Sequence, residues 1–117
     1  MALKLKVIDA EAISGTSEVL LNSPLTGKGW LISGISICNT GSVTITGIDL
    51  KLKPAGGTSR LLFTDPSASV GVNVQQLYAM EVALNGNGTA DVLTVTLSVA
   101  SGTPSAHVVL HGVERDQ

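Results

Sequence analysis

The chain has 117 residues, 44% of them hydrophobic and 14% charged, with one each of Trp, Tyr and Phe; an average soluble domain is roughly 25% charged. Seven Lys and Arg against nine Asp and Glu leave a formal net charge of −2, too balanced for holding nucleic acid through its phosphates, and the apolar content is too high for a disordered chain. No apolar run approaches about 18 residues, so no membrane span is expected, and the length fits one core, a single domain over 1–117.

Hydrophobicity alternates with period two along most of the chain, the pattern of half-buried strands. At the start, Leu3, Leu5 and Val7 share one strand face and Lys4 and Lys6 the other. The opening residues carry lysines but no apolar core and no small-residue cleavage site, so they do not read as a signal peptide, and folding in a reducing cytoplasm is expected. Glu18 to Asn22 is a short apolar strand closed by Ser23-Pro24. Gly29 to Asn39 is a long strand with Leu31, Ile35 and Ile37 on one face and Trp30, Ile32 and Cys38 on the other, so both faces read as apolar. Cys38, the single cysteine, has no intrachain disulfide partner and reads as a small buried hydrophobe. After the turn signal Asn39-Thr40-Gly41-Ser42, a strand from Val43 to about Lys53 changes phase between Val43/Ile45 and Ile48/Leu50/Leu52. Gly47 sits at the switch, where a β-bulge or bend is expected.

Pro54-Ala55-Gly56-Gly57 breaks the chain, Arg60 to Thr64 is a short strand, and Asp65-Pro66-Ser67 starts a loop. Asn73 to Leu84 has helical spacing at Val74, Leu77, Tyr78 and Glu81, yet its neighbours are all strand, and strand with irregular structure is expected there. Asn85-Gly86-Asn87-Gly88 is a hairpin or loop signal. Thr89 to Val99 alternates cleanly, with Leu93, Val95, Leu97 and Val99 inward and Thr94, Thr96 and Ser98 outward. Ser101 to Pro104 turns the chain into a last strand, Ala106 to Val113, followed by a charged tail, Glu114 to Gln117. The whole predicts an all-β fold: an antiparallel β-sandwich, jelly-roll-like, of about eight strands.

Residues with chemical potential are scattered. His107 and His111 lie on one strand face about 13 Å apart, too far to share an ion. A cupin-type metalloenzyme, the enzymatic alternative, would show a His-x-His pair that this chain lacks. There is no Gly-x-Ser-x-Gly elbow. The carboxylates Asp49, Asp65, Glu81 and Asp91 read as solvated surface acids. Gly27-Lys28-Gly29 lacks the frame of a phosphate-binding loop. Asn87-Gly88-Thr89 is a formal glycosylation sequon that reads as a bare turn. No enzyme activity, no cofactor and no metal site are therefore expected.

Assembly is the expected use. The last strand is apolar on both faces, with Val108 and Leu110 alternating with His107, Val109 and His111. A two-layer sandwich buries only one face of each sheet, and an apolar second face needs another cover, either a second chain or a third layer from the chain's own loops; of the two, a second chain is expected. The candidate contact residues are Leu3, Lys4, Leu5, Lys6 and Val7 on the first strand and His107, Val109 and His111 on the last.

The run from Trp30 to Thr46, in which a strand ends in Asn39-Thr40 and a Thr-rich strand follows, resembles small virion proteins of tailed bacteriophages. Leu84 to Thr89 and the closing His111 to Glu114 are similar to the same proteins. The resemblance covers roughly 28–53 and 84–114 and implies a small jelly-roll or sandwich protein. It implies the role of a capsid decoration or cement protein that stabilises the phage head as a homo-oligomer, dimer or trimer. Its partner would be the major capsid protein, and it would reach the virion after assembly in the host cytoplasm. The alternative is a phage tail or fibre domain that binds a host-surface glycan, which predicts Trp30 or Tyr78 exposed in a groove.

Overall fold

The computed structural model describes residues 6–54, 56–86 and 91–116. Among them the chain forms eight strands and no helix: β1 (Lys6–Ser14), β2 (Val19–Leu20), β3 (Lys28–Asn39), β4 (Ile45–Lys53), β5 (Arg60–Asp65), β6 (Gln75–Asn85), β7 (Val92–Val99) and β8 (Ser105–Asp116). They build two antiparallel four-stranded sheets, in the orders β1-β8-β3-β6 and β2-β7-β4-β5. The pairs β1·β8, β2·β7, β3·β6 and β4·β5 each sum to nine. That is the topology of one long hairpin, with β4–β5 at its tip, wound round so that β8 meets β3 and β7 meets β4. The fold is a β-sandwich with jelly-roll strand order. Its thinnest dimension is 20 Å, which accommodates two sheets packed about 10 Å apart with side chains on both outer faces.

The core is aliphatic. Ile32, Ile37, Ile45, Val70, Leu93 and Val95 are wholly removed from solvent, and Ile35, Leu50, Leu84, Leu97 and Leu110 nearly so. Burying each such side chain contributes about 1.5–3 kcal/mol. The two open edges are closed differently. Beside β5 and β6, Phe63 and Tyr78 pack with ring centroids 4.5 Å apart, and the Tyr78 hydroxyl donates to Asp65 Oδ2 at 2.7 Å. Beside β1 and β2, Asn22 donates its backbone N–H to Glu11 Oε2 at 2.6 Å and its side-chain amide to Asp9 Oδ1 at 3.1 Å.

The irregularities carry most of the departures from the sequence expectations. In β3 the register shifts between Ile32 and Gly34. Trp30 and Ile32 precede the shift, Ile35 and Ile37 follow it, and all four are buried. The expected grouping of Leu31 with Ile35 and Ile37 is therefore corrected. Inserting one residue reverses the alternation, so the two apolar sets of β3 point to the same side at different heights, and Leu31 is left exposed. A second expectation falls with it: β3 does not carry two apolar faces. In β4 the register shift lies between Ile45 and Gly47, where the sequence placed it. Opposite the β3 bulge, β8 carries Gly112. A Cβ there would lie 1.9 Å from the Leu31 carbonyl oxygen, so only glycine lets β8 pass.

Residues 75–85 are strand throughout, with burial alternating residue by residue. The expected strand over Glu18–Asn22 is shorter, Val19–Leu20, and the one expected from Thr89 is described from Val92. The turn residues Asn87 and Gly88, and with them the sequon, lie outside the described residues. The expected tail is not a tail: β8 continues to Asp116. Glu114 Oε2 accepts the Trp30 indole N–H at 2.9 Å, and Asp116 pairs with Lys28.

Candidate interaction face

Of the sequence-predicted contact residues, Leu3, Lys4 and Leu5 lie outside the described residues, and Lys6 opens β1. The other four come together. Val7 pairs with His111, and Val7, His107, Val109 and His111 all stand on the outer face of the β1-β8-β3-β6 sheet. The register extends that face in rows across the strands. One row runs Val7, His111, Gly34, Ala79; the next Ala10, Val109, Ser36, Leu77; the next Ala12, His107, Cys38, Gln75. At the end where β1 does not reach, Val113, Leu31 and Ala83 form a shorter row.

Among the described residues, charge on this face is confined to its rim, to Glu81 on the edge strand β6 and to Arg115 beyond Val113. Four aliphatic side chains on it are strongly exposed: Val7 61%, Leu77 61%, Val113 48% and Leu31 42%. The middle of the face is low, because Gly34 and Ser36 lie between larger neighbours. The result is a hollow of about 280 Å³ walled by Leu77, Ala79 and His111. Ser36 Oγ and His111 Nε2 are hydrogen-bonded at 2.8 Å on its floor, which holds the imidazole across Ser36 and leaves Ser36 only 2% exposed.

The outer face of the other sheet is of a different kind. It presents Thr96, Ser98 and Thr64 together with Asp49, Lys51 and Lys53, and the Thr64 hydroxyl donates to Asp49 Oδ1 at 2.5 Å. Thr94 on the same sheet is buried beneath Glu18, whose Oε2 accepts its hydroxyl at 2.7 Å. This side of the sandwich mixes hydroxyls and charges with the exposed Leu20 and Leu61, whereas the other is apolar, small and nearly neutral.

Two expectations about single residues change. Cys38 is half-buried on the apolar outer face, beside His107, and does not sit in the core. Trp30 is 6% exposed with its N–H tied to Glu114, and the Tyr78 ring packs inward on Phe63. The Trp30 ring therefore offers no open face on which a sugar could stack, and Tyr78 is half-buried. An open cleft of about 500 Å³ beside Trp30 is lined by Asp9, Asn22 and Glu114. Nearby, burial raises the Glu11 carboxyl above its ordinary range; the Asn22 N–H partly offsets this, and the neighbouring Asp9 adds to it. Among the described residues no three His, Cys, Asp or Glu side chains gather where they could hold a metal ion.

The residues that sequence reasoning missed are Leu31, Gly34, Ser36, Leu77 and Ala79. Their membership depends on strand register, and the one local signal for it was Gly34 in the middle of an apolar strand.

No known protein family matches the chain, and no curated protein matches it in sequence. Among solved structures, the chain is similar to infectious bursal disease virus of the Gt strain at 11% identity and TM-score 0.49, over 92% of this chain and 32% of that one. It is similar to the Drosophila NLP core, described for pentamer formation and histone binding, at 12% identity and TM-score 0.43, over 92% of this chain and 99% of that one. A third likeness is to an exo-beta-1,3-galactanase from Phanerochaete chrysosporium, at 16% identity and TM-score 0.41, over 90% of this chain and 30% of that one. The chain spans about a third of the virus and galactanase chains, and none of these structures lends it a residue or a ligand.

Proposed function

We propose that the chain is a structural virion protein of a tailed bacteriophage: a capsid decoration or cement protein that acts as a homo-oligomer, without catalytic chemistry, on the major capsid protein. The observation that supports this reading is the outer face of the β1-β8-β3-β6 sheet. It exposes Val7, Leu31, Leu77 and Val113 with charge only at its rim. Apolar surface gains about 25 cal/mol for every Å² taken from water, and a protein that keeps such a face open has a partner for it. The mechanism is mechanical. Contact area between copies, and between copies and capsomers, resists separation of the shell. The Thr- and Lys-bearing outer face of the other sheet stays in solvent.

The test is to purify particles by density gradient from cells that produce the protein and to quantify this chain in them by mass spectrometry. Incorporation at a fixed number of copies per major capsid subunit is expected. Its absence from particles, with the chain free in the lysate, would overturn the proposal.

A further inference from the structure

Resting on the homo-oligomeric reading above, we infer that the outer face of the β1-β8-β3-β6 sheet docks on the same face of a second copy of this chain, sheet against sheet about a two-fold axis. Its size is the first ground. The face covers four strands about 4.8 Å apart and, along β3, Leu31 to Cys38 at about 3.3 Å each, roughly 19 by 26 Å less the corner that β1 does not reach. Two such faces brought together remove about 900 Å² from water, near the lower bound of specific interfaces.

Charge is the second ground. In a two-fold contact each patch meets itself, so a patch bearing net charge repels its own copy. Among the described residues this face carries one charged side chain within the area counted, Glu81 on the edge strand β6, and a two-fold axis between the Gly34 and Ser36 rows sets it over Gln75 of the other copy and not over its own equivalent; the opposite outer face carries Asp49, Lys51 and Lys53.

Shape is the third. An axis that crosses the strands between the Gly34 row and the Ser36 row sets Leu77 of each copy over Ala79 of the other. The exposed Leu77 then meets the wall of the hollow floored by Gly34 and Ser36. On β6 Leu77 falls on the small Ala79, and on β1 Val7 falls on the small Ala10, a fit that helps two sheets close to about 10 Å.

The test compares wild type with the double variant Leu77→Asp/Ala79→Asp and with Thr96→Asp on the other sheet, by sedimentation equilibrium, with circular dichroism melts reporting folding. Both substituted positions of the double variant point outward. Burying new carboxylates against their own copies is expected to weaken association by at least about 100-fold, while Thr96→Asp retains the wild-type mass. A folded double variant that associates like wild type overturns the docking face and leaves the homo-oligomeric reading standing. A wild type that is monomeric at every concentration overturns both.

Diethyl pyrocarbonate supplies a readout that needs no variant, should the double variant fail to fold. His107 is exposed in a single chain, and His111 lies two rows along the same face. Both are expected to react several-fold more slowly in the associated protein than after dilution to monomer. Equal rates in the two states overturn the inference.

Discussion

Replacing Asn39 is the perturbation whose cost follows most directly from the hydrogen bonding. Asn39 ends β3, is wholly buried, and ties three segments together. Its amide Nδ2 donates to the Val43 carbonyl at 2.7 Å and the Val70 carbonyl at 2.8 Å, and its Oδ1 accepts the Gly41 N–H at 3.0 Å. Its backbone carbonyl accepts the N–H of Asn73 at 3.0 Å, a residue held at a φ of 63°, in the left-handed region that asparagine tolerates. A buried hydrogen bond contributes about 1 kcal/mol net, and stranding its partner adds to the loss. Asn39→Ala removes three such bonds, so a loss of about 3–4 kcal/mol is expected in urea unfolding, with an unchanged m-value.

Asn39→Asp separates the hydrogen-bond account from a packing account, because it keeps the volume. One carboxylate oxygen can still accept from Gly41, but the other faces two carbonyl oxygens in a buried site. At neutral pH it is expected to be at least as damaging as alanine, and to recover partly in acid, where the protonated carboxyl donates to one carbonyl. Asn39→Ala within about 1 kcal/mol of wild type, or Asn39→Asp at wild-type stability at neutral pH, would refute the reasoning.

Gly112→Ala is expected to cost more than about 3 kcal/mol, because its Cβ would meet the Leu31 carbonyl oxygen at 1.9 Å and backbone cannot yield as a side chain does; chemical denaturation measures it. Tyr78→Phe is expected to cost about 1–2 kcal/mol through loss of the hydroxyl's bond to Asp65. Burial first, then Asp65, raises the Tyr78 hydroxyl well above its ordinary 10.0. The unfolded chain therefore releases this proton first, and wild-type stability is full below about pH 10 and falls above it. Stability measured against pH is expected to fall less steeply there in the phenylalanine variant. Glu11→Gln has the opposite linkage. The Glu11 carboxyl is raised in the fold, so its favourable contribution is full below the ordinary 4.5 and is lost as pH rises through the folded value. The glutamine variant is expected to be at least as stable as wild type at neutral pH, with the difference vanishing in acid, as read from melting temperatures.

How much of this was legible in the sequence depended on whether the signal was local. The alternation of Leu93, Val95 and Leu97 gave β7 its face directly, and Gly47 marked the bulge of β4 because a residue without a side chain stood at a change of phase. Gly34 is the same kind of mark. It was hidden because residues before and after it are apolar on both phases, so β3 read as a strand with two apolar sides. The acidic residues Glu114 and Asp116 read as a solvated tail, since their partners Trp30 and Lys28 are far away in sequence. The pairings that sum to nine have no period along the chain at all, and jelly-roll order was inferred from strand count and turn spacing. For the interaction face, β8 disclosed its own contribution through His107, Val109 and His111. The share of β3 and β6 appeared only when register placed Ser36 and Leu77 beside Val109.

The bulge in β3 also changes the balance of the assembly argument. Much of the apolar surface that a single sandwich seemed unable to hide is hidden, in the core, by the shift of phase at Ser33 and Gly34. Of the surplus that remains, Val7, Leu31, Leu77 and Val113 share one outer face, while Leu20 and Leu61 stand on the other sheet and Leu25, Val72 and Val74 lie between strands. Light scattering on the purified wild-type chain across a hundredfold range of concentration tests most directly whether another copy covers that shared face. A particle mass at a whole-number multiple of 11.9 kDa, little changed by added salt because the contact carries no charge inside its rim, is the predicted result. A mass of a single chain at every concentration would contradict the account.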